Sequence, residues 1–253
     1  MEQRMKRDYT FEVNGFEVTA SYEDEVVEEI FIPLLKKWDQ MQKEEGRRIM
    51  VFVSAPPGAG KSTVCQFLEY LGKREQICEL QTVGLDGFHY HQDYFLEHTV
   101  CVNGVDVPMK SVKGCPESYD VEWLEKKLAF LQQGDVKFPI YSRLIHDVVE
   151  EAVDVTKQII LIEGNWLLSS EEPWTELDRY CDDSLFIYAG EEFLKDRLIG
   201  RKVKGGTSLP EAEAHYERCD RKNVQRILAH HRKARLNLQI LSDSSYRVVE
   251  ECN

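Results

Sequence analysis

The sequence IMVFVSAPPGAGKSTVCQFLEYL (residues 49–71) contains three local patterns in succession. Ile49–Ser54 is a short apolar run rich in Val and Ile, which is typical of a buried parallel strand. The prolines and glycines of residues 56–60 cannot continue that strand. Apolar residues then recur at helical spacing, at Val64, Phe67, Leu68 and Leu71. The stretch therefore predicts a strand, a glycine-rich turn and the start of a helix.

A strand, a glycine-rich turn and a helix start form the context of a phosphate-binding P-loop. Backbone N–H groups of residues 58–63 can point into one concavity, and the helix N-terminus adds unsatisfied donors and partial positive charge. The residues assigned to the phosphates are Pro57, Gly58, Ala59, Gly60, Lys61, Ser62 and Thr63. We expect Lys61 to reach the β- and γ-phosphates and the Ser62 hydroxyl to ligate Mg²⁺.

The match to the pattern GxxxxGK[ST] is imperfect, because Ala55 occupies the position of the first glycine. Alanine keeps the side chain small but loses easy access to positive φ. The alternative is a chance glycine-rich turn between a strand and a helix. The intact Gly60-Lys61-Ser62 favours nucleotide binding.

The composition narrows the classes of protein. A chain of 253 residues with 42% hydrophobic residues suits either one large α/β domain with added elements or a domain with a small lid. The net charge of −13 argues against nucleic acid or an anionic membrane as the main partner. No apolar run approaches the ~20 residues that span a bilayer. We therefore expect a cytoplasmic protein with a small-molecule partner, and the sequence does not decide between a monomer and a homodimer.

The seven cysteines show no CxxC spacing and an odd count. They are Cys65, Cys78, Cys101, Cys115, Cys181, Cys219 and Cys252. With no signal peptide at the start of the sequence, this pattern indicates reduced thiols rather than disulfides or a zinc site.

Residues 1–48 are predicted to form an N-terminal extension that packs on the core and carries no chemistry. Within Tyr9–Ser21, the preferred two-residue turn Asn14-Gly15 predicts a hairpin in which Phe11 faces Val18 and Val13 faces Phe16. Tyr22–Glu45 has helical periodicity. We expect Pro33 to kink this helix or split it in two.

Residues 49–253 are predicted to form the main domain. Its predicted strands are Ile49–Ser54, Leu80–Leu85, Gln158–Ile162, Leu185–Tyr188 and a closing edge strand at Tyr246–Val249. One predicted helix begins at Lys61, and a second runs from the N-cap Asp120 to Gln133. Two more are predicted at Glu191–Lys202 and Pro210–Leu238. Residues 90–118 read as a loop that faces the substrate, with a small hairpin near Asn103-Gly104. This alternation predicts a mainly parallel sheet with helices on both faces.

The P-loop, two acidic residues and an arginine-bearing helix are expected to meet at one edge of that sheet. Asp86 and Glu163 each follow a predicted strand, and ligands bind at the carboxyl ends of parallel strands. Arg197 and Arg201 are four residues apart and share one face of a helix. Phe138–Asp147 mixes aromatic, basic, imidazole and acidic side chains, which is unusual for a plain connector.

Several ordered motifs carry a family resemblance over roughly residues 49–230. They are LDGFH at 85–89, KGCPESYD at 113–120, PIYSRLIHD at 139–147, IEGN at 162–165 and RLIGR at 197–201. Together they resemble the P-loop small-molecule kinases that include uridine kinase, phosphoribulokinase and bacterial pantothenate kinase. They are most similar to uncharacterised bacterial members described as nucleoside/nucleotide or fructose-type sugar kinases. Two residues depart from the named enzymes: Arg143 replaces a histidine of pantothenate kinases, and Gly114 stands where uridine kinases carry an acid.

The resemblance implies a three-layer P-loop NTPase fold with a helical lid around residues 197–210. It also implies ATP and Mg²⁺, with phosphoryl transfer to a hydroxyl of a sugar, a nucleoside or a pantothenate-like metabolite. Such a reaction needs a positioned acceptor and neutralised charge. We assign Asp86 to orient or deprotonate the acceptor hydroxyl, Glu163 to Mg²⁺ or its waters, and Arg201 with Arg197 to the transferring phosphate.

The candidate acceptor contacts are His89, Tyr141, Arg143 and His146. Each assigned residue has a plainer alternative: a strand-end acid, a helix-capping carboxylate, a solvated arginine or a packed histidine. Two other functions stay open. One is a P-loop GTPase or metallochaperone, but the sequence contains no NKxD guanine motif, and Asp86 and the arginine pair would have no role in such a protein. The other is a nucleotide-binding regulator that has lost catalysis and would show no acceptor-dependent turnover.

Overall fold

The computed structural model describes residues 6–13, 16–102 and 104–249. The strands are β1 (Lys6–Val13), β2 (Phe16–Glu23), β3 (Ile49–Ser54), β4 (Leu80–Gly84), β5 (Thr99–Val102), β6 (Val105–Pro108), β7 (Val136–Ser142), β8 (Asp147–Val155), β9 (Ile159–Gly164), β10 (Asp183–Tyr188), β11 (Leu236–Ile240) and β12 (Tyr246–Val249). The α-helices are α1 (Asp24–Val26), α2 (Ile32–Glu45), α3 (Lys61–Arg74), α4 (Gln92–Glu97), α5 (Val121–Gln133), α6 (Glu191–Lys204), α7 (Leu209–His215) and α8 (Arg221–Ala229).

The central sheet has the strand order β12-β11-β10-β3-β9-β4. Its neighbouring strands run parallel, except that β12 is antiparallel to β11 at the edge. The predictions of a mainly parallel α/β sheet and of a closing edge strand are therefore confirmed. None of the helices in the described residues has the length and apolarity needed to cross a bilayer.

Strand β3 explains why the apolar run at residues 49–54 is continuous. Ile49, Val51 and Val53 belong to one buried cluster, together with side chains of α2 and α3. Met50 and Phe52 belong to a second cluster on the opposite face, with α5 and β7. Successive side chains of a strand point to opposite faces, so a strand covered on both sides must be apolar at every position.

The N-terminal hairpin is confirmed, with Phe11 opposite Val18 and Val13 opposite Phe16. The predicted turn at Asn14-Gly15 lies outside the described residues. Tyr9 and Tyr22 pack on Phe67 of the helix that follows the glycine-rich turn, with ring centroids 4.9 and 4.1 Å away. The hairpin therefore shares a hydrophobic core with α3. The proposed division of the chain at residue 48 stays a prediction.

The helical segment before β3 differs in detail from its prediction. It begins at Asp24 rather than Tyr22, which lies in β2, and a π-helical turn at Val27–Phe31 separates α1 from α2. Pro33 occupies the first turn of α2, where a missing N–H costs little. The interruption expected at Pro33 thus takes the form of a π-helical turn just before it.

Two segments between β4 and β9 contain more structure than expected. Residues 90–118 were predicted as loop, and they include α4 as well as the expected small hairpin, β5–β6. Residues 136–155 form the antiparallel hairpin β7–β8, and neither of its strands was predicted. A run such as DVVEEAVDV is stabilised as a strand by pairing with β7, which local periodicity does not reveal.

The predicted long helix over Pro210–Leu238 is wrong. The chain forms α7, a π-helical turn at Tyr216–Asp220 and α8, and then enters β11. The His231 ring contacts the carbonyl oxygens of Ile227 and Leu228 at 3.2 and 3.0 Å, and so helps to satisfy the last turn of α8. Leu236–Ile240 becomes a strand because it pairs in parallel with β10.

Candidate active site

The glycine-rich turn joins the carboxyl end of β3 to the N-terminus of α3. Gly58 and Gly60 have φ values of 86° and 87°, a left-handed conformation that glycine adopts without strain. Gly60 is the N-cap of α3 and makes no side-chain cap, so the first N–H groups of the helix stay available. Ala55 is fully buried and has no positive φ, which explains why alanine is tolerated there.

Glu163 meets the start of α3. Its carboxylate accepts a hydrogen bond from the Ser62 hydroxyl at 2.6 Å, and the other oxygen lies 3.6 Å from Lys61 Nζ. The Lys61 and Glu163 side chains are only 16% and 13% exposed. Glu163 reaches this point because β9 lies between β3 and β4 in register, with Glu163 opposite Val53 and Gly84. The structure therefore brings Lys61, Ser62 and Glu163 together.

Asp86 lies on a short 3₁₀ turn, Leu85–Phe88, directly after β4. It is exposed to a cavity of about 520 Å³ that Ser62 and Glu163 also line. The Tyr119 hydroxyl lies 3.5 Å from one Asp86 carboxylate oxygen. Both predicted carboxylates are thus on the same side of the sheet as the glycine-rich turn.

The hairpin β7–β8 supplies the opposite wall of the cavity. Tyr141 and Arg143 line it, together with Pro139 and the exposed Leu144. The backbone of β7 passes close to Gly87, where an added Cβ would lie 2.3 Å from the Pro139 carbonyl oxygen. A glycine at position 87 is therefore what allows the hairpin to pack against the turn that carries Asp86.

His89 is buried behind that turn rather than in the cavity lining. Its Nδ1 lies 2.9 Å from the Asp86 carbonyl oxygen, and its ring lies 3.9 Å from the Tyr119 ring between centroids. Burial lowers the pKa of His89, so its imidazole is neutral at pH 7. The neutral ring then supports the backbone of Asp86 by donating to its carbonyl group.

His146 occupies the tip of the β7–β8 hairpin. It is exposed, has a φ of 56°, and does not belong to the residues that line the cavity. Unlike Tyr141 and Arg143 of the same motif, His146 therefore does not form part of the cavity wall. Its role in acceptor binding stays a prediction that this geometry does not favour.

Lys113 and Tyr141 form a polar contact at the cavity wall. The ammonium group donates a hydrogen bond to the Tyr141 hydroxyl at 2.8 Å and lies 5.0 Å from the centre of the Phe95 ring. Burial lowers the pKa of Lys113, although Asp147 and Asp86 oppose the shift. Burial also raises the pKa of Tyr141.

The two predicted lid arginines occupy different environments. Arg197 on α6 lies over the Phe193 ring, and its Nη2 is 3.6 Å from the point where a Gly60 Cβ would be. Arg201 is one turn further along the same helix and is exposed. Within the described residues it has no hydrogen-bond or ion-pair partner for its side chain. Only Arg197 reaches the glycine-rich turn in this structure, and Arg201's catalytic role stays a prediction.

Gly87 and Tyr119 had no role assigned from the sequence, and Lys113 was considered either a contact for a phosphate or an anionic substrate or a solvated lysine. Gly87 admits the hairpin, Lys113 holds Tyr141, and Tyr119 approaches Asp86. All three lie in the motifs LDGFH and KGCPESYD. The signal was present in the sequence, but their packing roles depend on contacts between segments far apart in the chain.

No family model matches the chain. The chain is 39% identical to the uncharacterised protein YggC of Escherichia coli K12, with 92% of this chain and 96% of YggC aligned. It is 28% identical to the pantothenate kinase of Myxococcus xanthus over 71% of this chain and 57% of that protein. Among solved structures, a "putative fructose transport system kinase" from Silicibacter sp. TM1040 has a TM-score of 0.69 and 26% identity, covering 80% of this chain and 98% of the other.

Proposed function

We propose that this chain, which belongs to the P-loop small-molecule kinases together with YggC of Escherichia coli, transfers the γ-phosphoryl group of ATP to a hydroxyl of a small polar metabolite. One observation carries the proposal. Ser62 follows the glycine-rich turn, and Glu163 lies at the end of the neighbouring strand β9. Both residues line the same cavity as Asp86. A sugar, a nucleoside or a pantothenate-like compound would suit that cavity as acceptor.

The residues at the start of α3 fit a nucleotide triphosphate. Gly58 and Gly60 contribute no side chains of their own to the turn. The free N–H groups at the N-terminus of α3 favour anions. Lys61 and Arg197 add positive charge beside the turn. Lys61 is held by Glu163, so its ammonium group is already in place before phosphate binds.

Ser62 and Glu163 fit a magnesium site. A hydroxyl and a carboxylate in contact are hard oxygen ligands of the kind that Mg²⁺ prefers. When bound there, the ion would neutralise charge on the phosphates. The chain's own contribution is to hold both oxygen groups at the end of β9 and the start of α3.

Asp86 is placed to serve the acceptor. Its carboxylate faces the cavity, while its carbonyl group is held by His89 behind the turn. A fixed carboxylate can orient an acceptor hydroxyl and take its proton as the oxygen attacks. The cavity volume of about 520 Å³ falls within the usual range for small-molecule sites. Tyr141 and Arg143 on the hairpin would bind the rest of the acceptor.

The test is ADP release by the full chain with Mg-ATP and a panel of nucleosides, sugars, sugar phosphates and pantothenate. We expect one acceptor class to stimulate ADP release. In the Asp86→Asn variant that stimulated rate should fall at least ~100-fold, because a positioned base is lost. Nucleotide binding should survive. Asp154→Asn is the matched control. The Asp154 side chain is 71% exposed and makes a long surface ion pair with Lys137 at 3.8 Å, so its loss should have little effect.

Two results would contradict the proposal. Acceptor-independent hydrolysis with a preference for GTP would indicate a GTPase or metallochaperone. Tight nucleotide binding with no turnover for any acceptor would indicate a regulator without catalysis.

A further inference from the structure

The π-helical turn Tyr216–Asp220 between α7 and α8 gathers three potential metal ligands outside the cavity. One donor atom from each of His215, Cys219 and Asp220 lies within 4.8 Å of the others. In an α-helix, residue i+5 would point roughly 140° away from residue i. The π-helical bonding instead brings Asp220 beside His215, with 3.6 Å between Nε2 and Oδ1.

The surroundings of this cluster leave one donor without a partner. Asp220 Oδ2 is buried and has no hydrogen-bond partner among the described residues. Cys219 is buried, and its thiol lies 3.6 Å from the carbonyl oxygen of Lys113. A buried carboxylate oxygen without a partner is unfavourable, and a bound cation would satisfy it.

The protonation of the cluster is compatible with metal binding. Burial lowers the pKa of His215. The charge of Asp220 raises that pKa, and the charges of Lys202 and Arg218 lower it further. A neutral imidazole has a lone pair available for a metal. Burial raises the pKa of the Cys219 thiol, so a metal that binds there must displace its proton to solvent.

We propose that His215, Cys219 and Asp220 bind a thiophilic divalent cation of the zinc class. Nitrogen, sulfur and carboxylate oxygen are the usual protein ligands of Zn²⁺, and three of them leave a fourth position for water. Lys202 and Arg218 both lower the pKa of His215 electrostatically, so they disfavour added positive charge at this point. A hard ion such as Mg²⁺, which is held by charge alone, is therefore disfavoured relative to one that bonds strongly to a thiolate.

The sequence analysis indicated no zinc site, because the cysteines show no CxxC spacing and because Asp220, five residues after His215, would point away from it in an α-helix. His215 and Cys219 are four residues apart and would share one face of an α-helix, and the π turn adds Asp220 to that face. None of them lines the cavity that contains Asp86. Metal binding at the π turn can therefore be tested separately from phosphoryl transfer.

The experiment is a titration of the chelator-treated full chain with Co²⁺, without nucleotide, followed by displacement with Zn²⁺. We expect one Co²⁺ per chain, a thiolate-to-metal charge-transfer band in the near ultraviolet, and loss of that band when Zn²⁺ is added. Cys219→Ser should remove the band, and Asp220→Asn should weaken binding at least ~10-fold. Cys101→Ser and Cys78→Ser are the matched controls and should retain the band, because both thiols belong to other elements.

A second measurement guards against variants that fail to fold. Zn²⁺ should raise the Tm of the wild-type chain and of Cys78→Ser, but not that of His215→Gln, because only a ligand that binds the folded state stabilises it. Absence of stoichiometric Co²⁺ binding would overturn the proposal. A charge-transfer band that persists in Cys219→Ser would also overturn it.

Discussion

The cavity has two walls that are built differently. The P-loop wall consists of Ser62 and Glu163, which line the cavity at the start of α3 and the end of β9, together with Lys61, which contacts Glu163. The Lys61 and Glu163 side chains are largely shielded from solvent. The hairpin wall consists of Tyr141, Arg143 and Leu144, at the end of β7 and in the turn that follows. Leu144 is 91% exposed, and Arg143 is exposed as well.

The difference has a physical origin. Sheet register and polar pairing fix the P-loop wall, so a change there disturbs several partners at once. The hairpin wall is anchored mainly where its backbone passes Gly87 and where Lys113 holds Tyr141. Residues 143–146 at its tip are exposed, so we expect most substitutions there to leave the fold intact. We infer that the P-loop wall sets the reaction and the hairpin wall sets the acceptor.

The strongest way to break this distinction is Lys61→Met. Loss of the ammonium group should lower acceptor-dependent ADP release at least ~100-fold, because charge that develops on the transferring group is no longer neutralised. Lys157→Met is the control, since Lys157 makes a surface pair with Glu79. Equal turnover in the two variants would contradict the role of the P-loop wall.

The Gly87→Ala variant tests the packing of the hairpin against the turn that carries Asp86. The added Cβ would meet the Pro139 carbonyl group, so we expect a loss of about 1–3 kcal/mol in the free energy of unfolding. Denaturant titration measures the loss. Gly200→Ala is the control, because no neighbouring atom lies within 4 Å of its added Cβ and alanine should stabilise α6 by up to ~1 kcal/mol. A hairpin that tolerates the methyl group added at Gly87 would show that its packing is looser than described.

A pair of arginine variants sharpens the comparison between the walls. Arg143→Ala should raise the acceptor KM roughly 10-fold, the value of one charged hydrogen bond, and leave the KM for ATP unchanged. Arg197→Ala should show the opposite pattern, because Arg197 lies beside Gly60. Steady-state kinetics with each substrate varied in turn measures both. Identical effects on the two KM values would remove the distinction.

The stability of the fold should depend on pH through His89, which supports the turn that carries Asp86. Its pKa is lowered in the folded chain, whereas the unfolded chain has an ordinary value of ~6.5. Below that pH the unfolded state takes up a proton that the folded state refuses, so stability falls as the pH falls from 7 to 5. Replacement by Gln should flatten this dependence by at most ~1.4 kcal/mol per pH unit. Unchanged slopes in paired unfolding titrations would show that His89 is not the responsible group.

The smallest effect is expected for His146→Ala at the hairpin tip. Because His146 is exposed and outside the cavity lining, acceptor kcat/KM should stay within about twofold and stability within ~0.5 kcal/mol. A fall as large as that of Arg143→Ala would place His146 in the acceptor site after all.

Sequence reasoning succeeded where the pattern is local. Ile49–Ser54 was predicted with its observed bounds, and α3 begins at Lys61 as predicted, since an apolar run and a glycine-rich turn specify both. The meeting of Asp86 and Glu163 followed from a general rule, because the carboxyl ends of parallel strands share one edge.

The failures concern structure that depends on distant partners. β8 and β11 are strands because they pair with β7 and β10, and Leu236–Ile240 lies beyond an Arg- and His-rich segment that lacks a glycine or proline to end a helix. Arg197 and Arg201 share one helix face, so the sequence could not show that Arg197 reaches the glycine-rich turn whereas Arg201 is exposed.

The most direct test of kinase chemistry is the fate of the γ-phosphoryl group. The chain is incubated with Mg²⁺ and ATP labelled in that group, together with the acceptor class that stimulates ADP release, and the products are separated. The proposal predicts that the label appears covalently on the acceptor hydroxyl in amounts equal to the ADP formed. Label found only as inorganic phosphate, with or without acceptor, would contradict it.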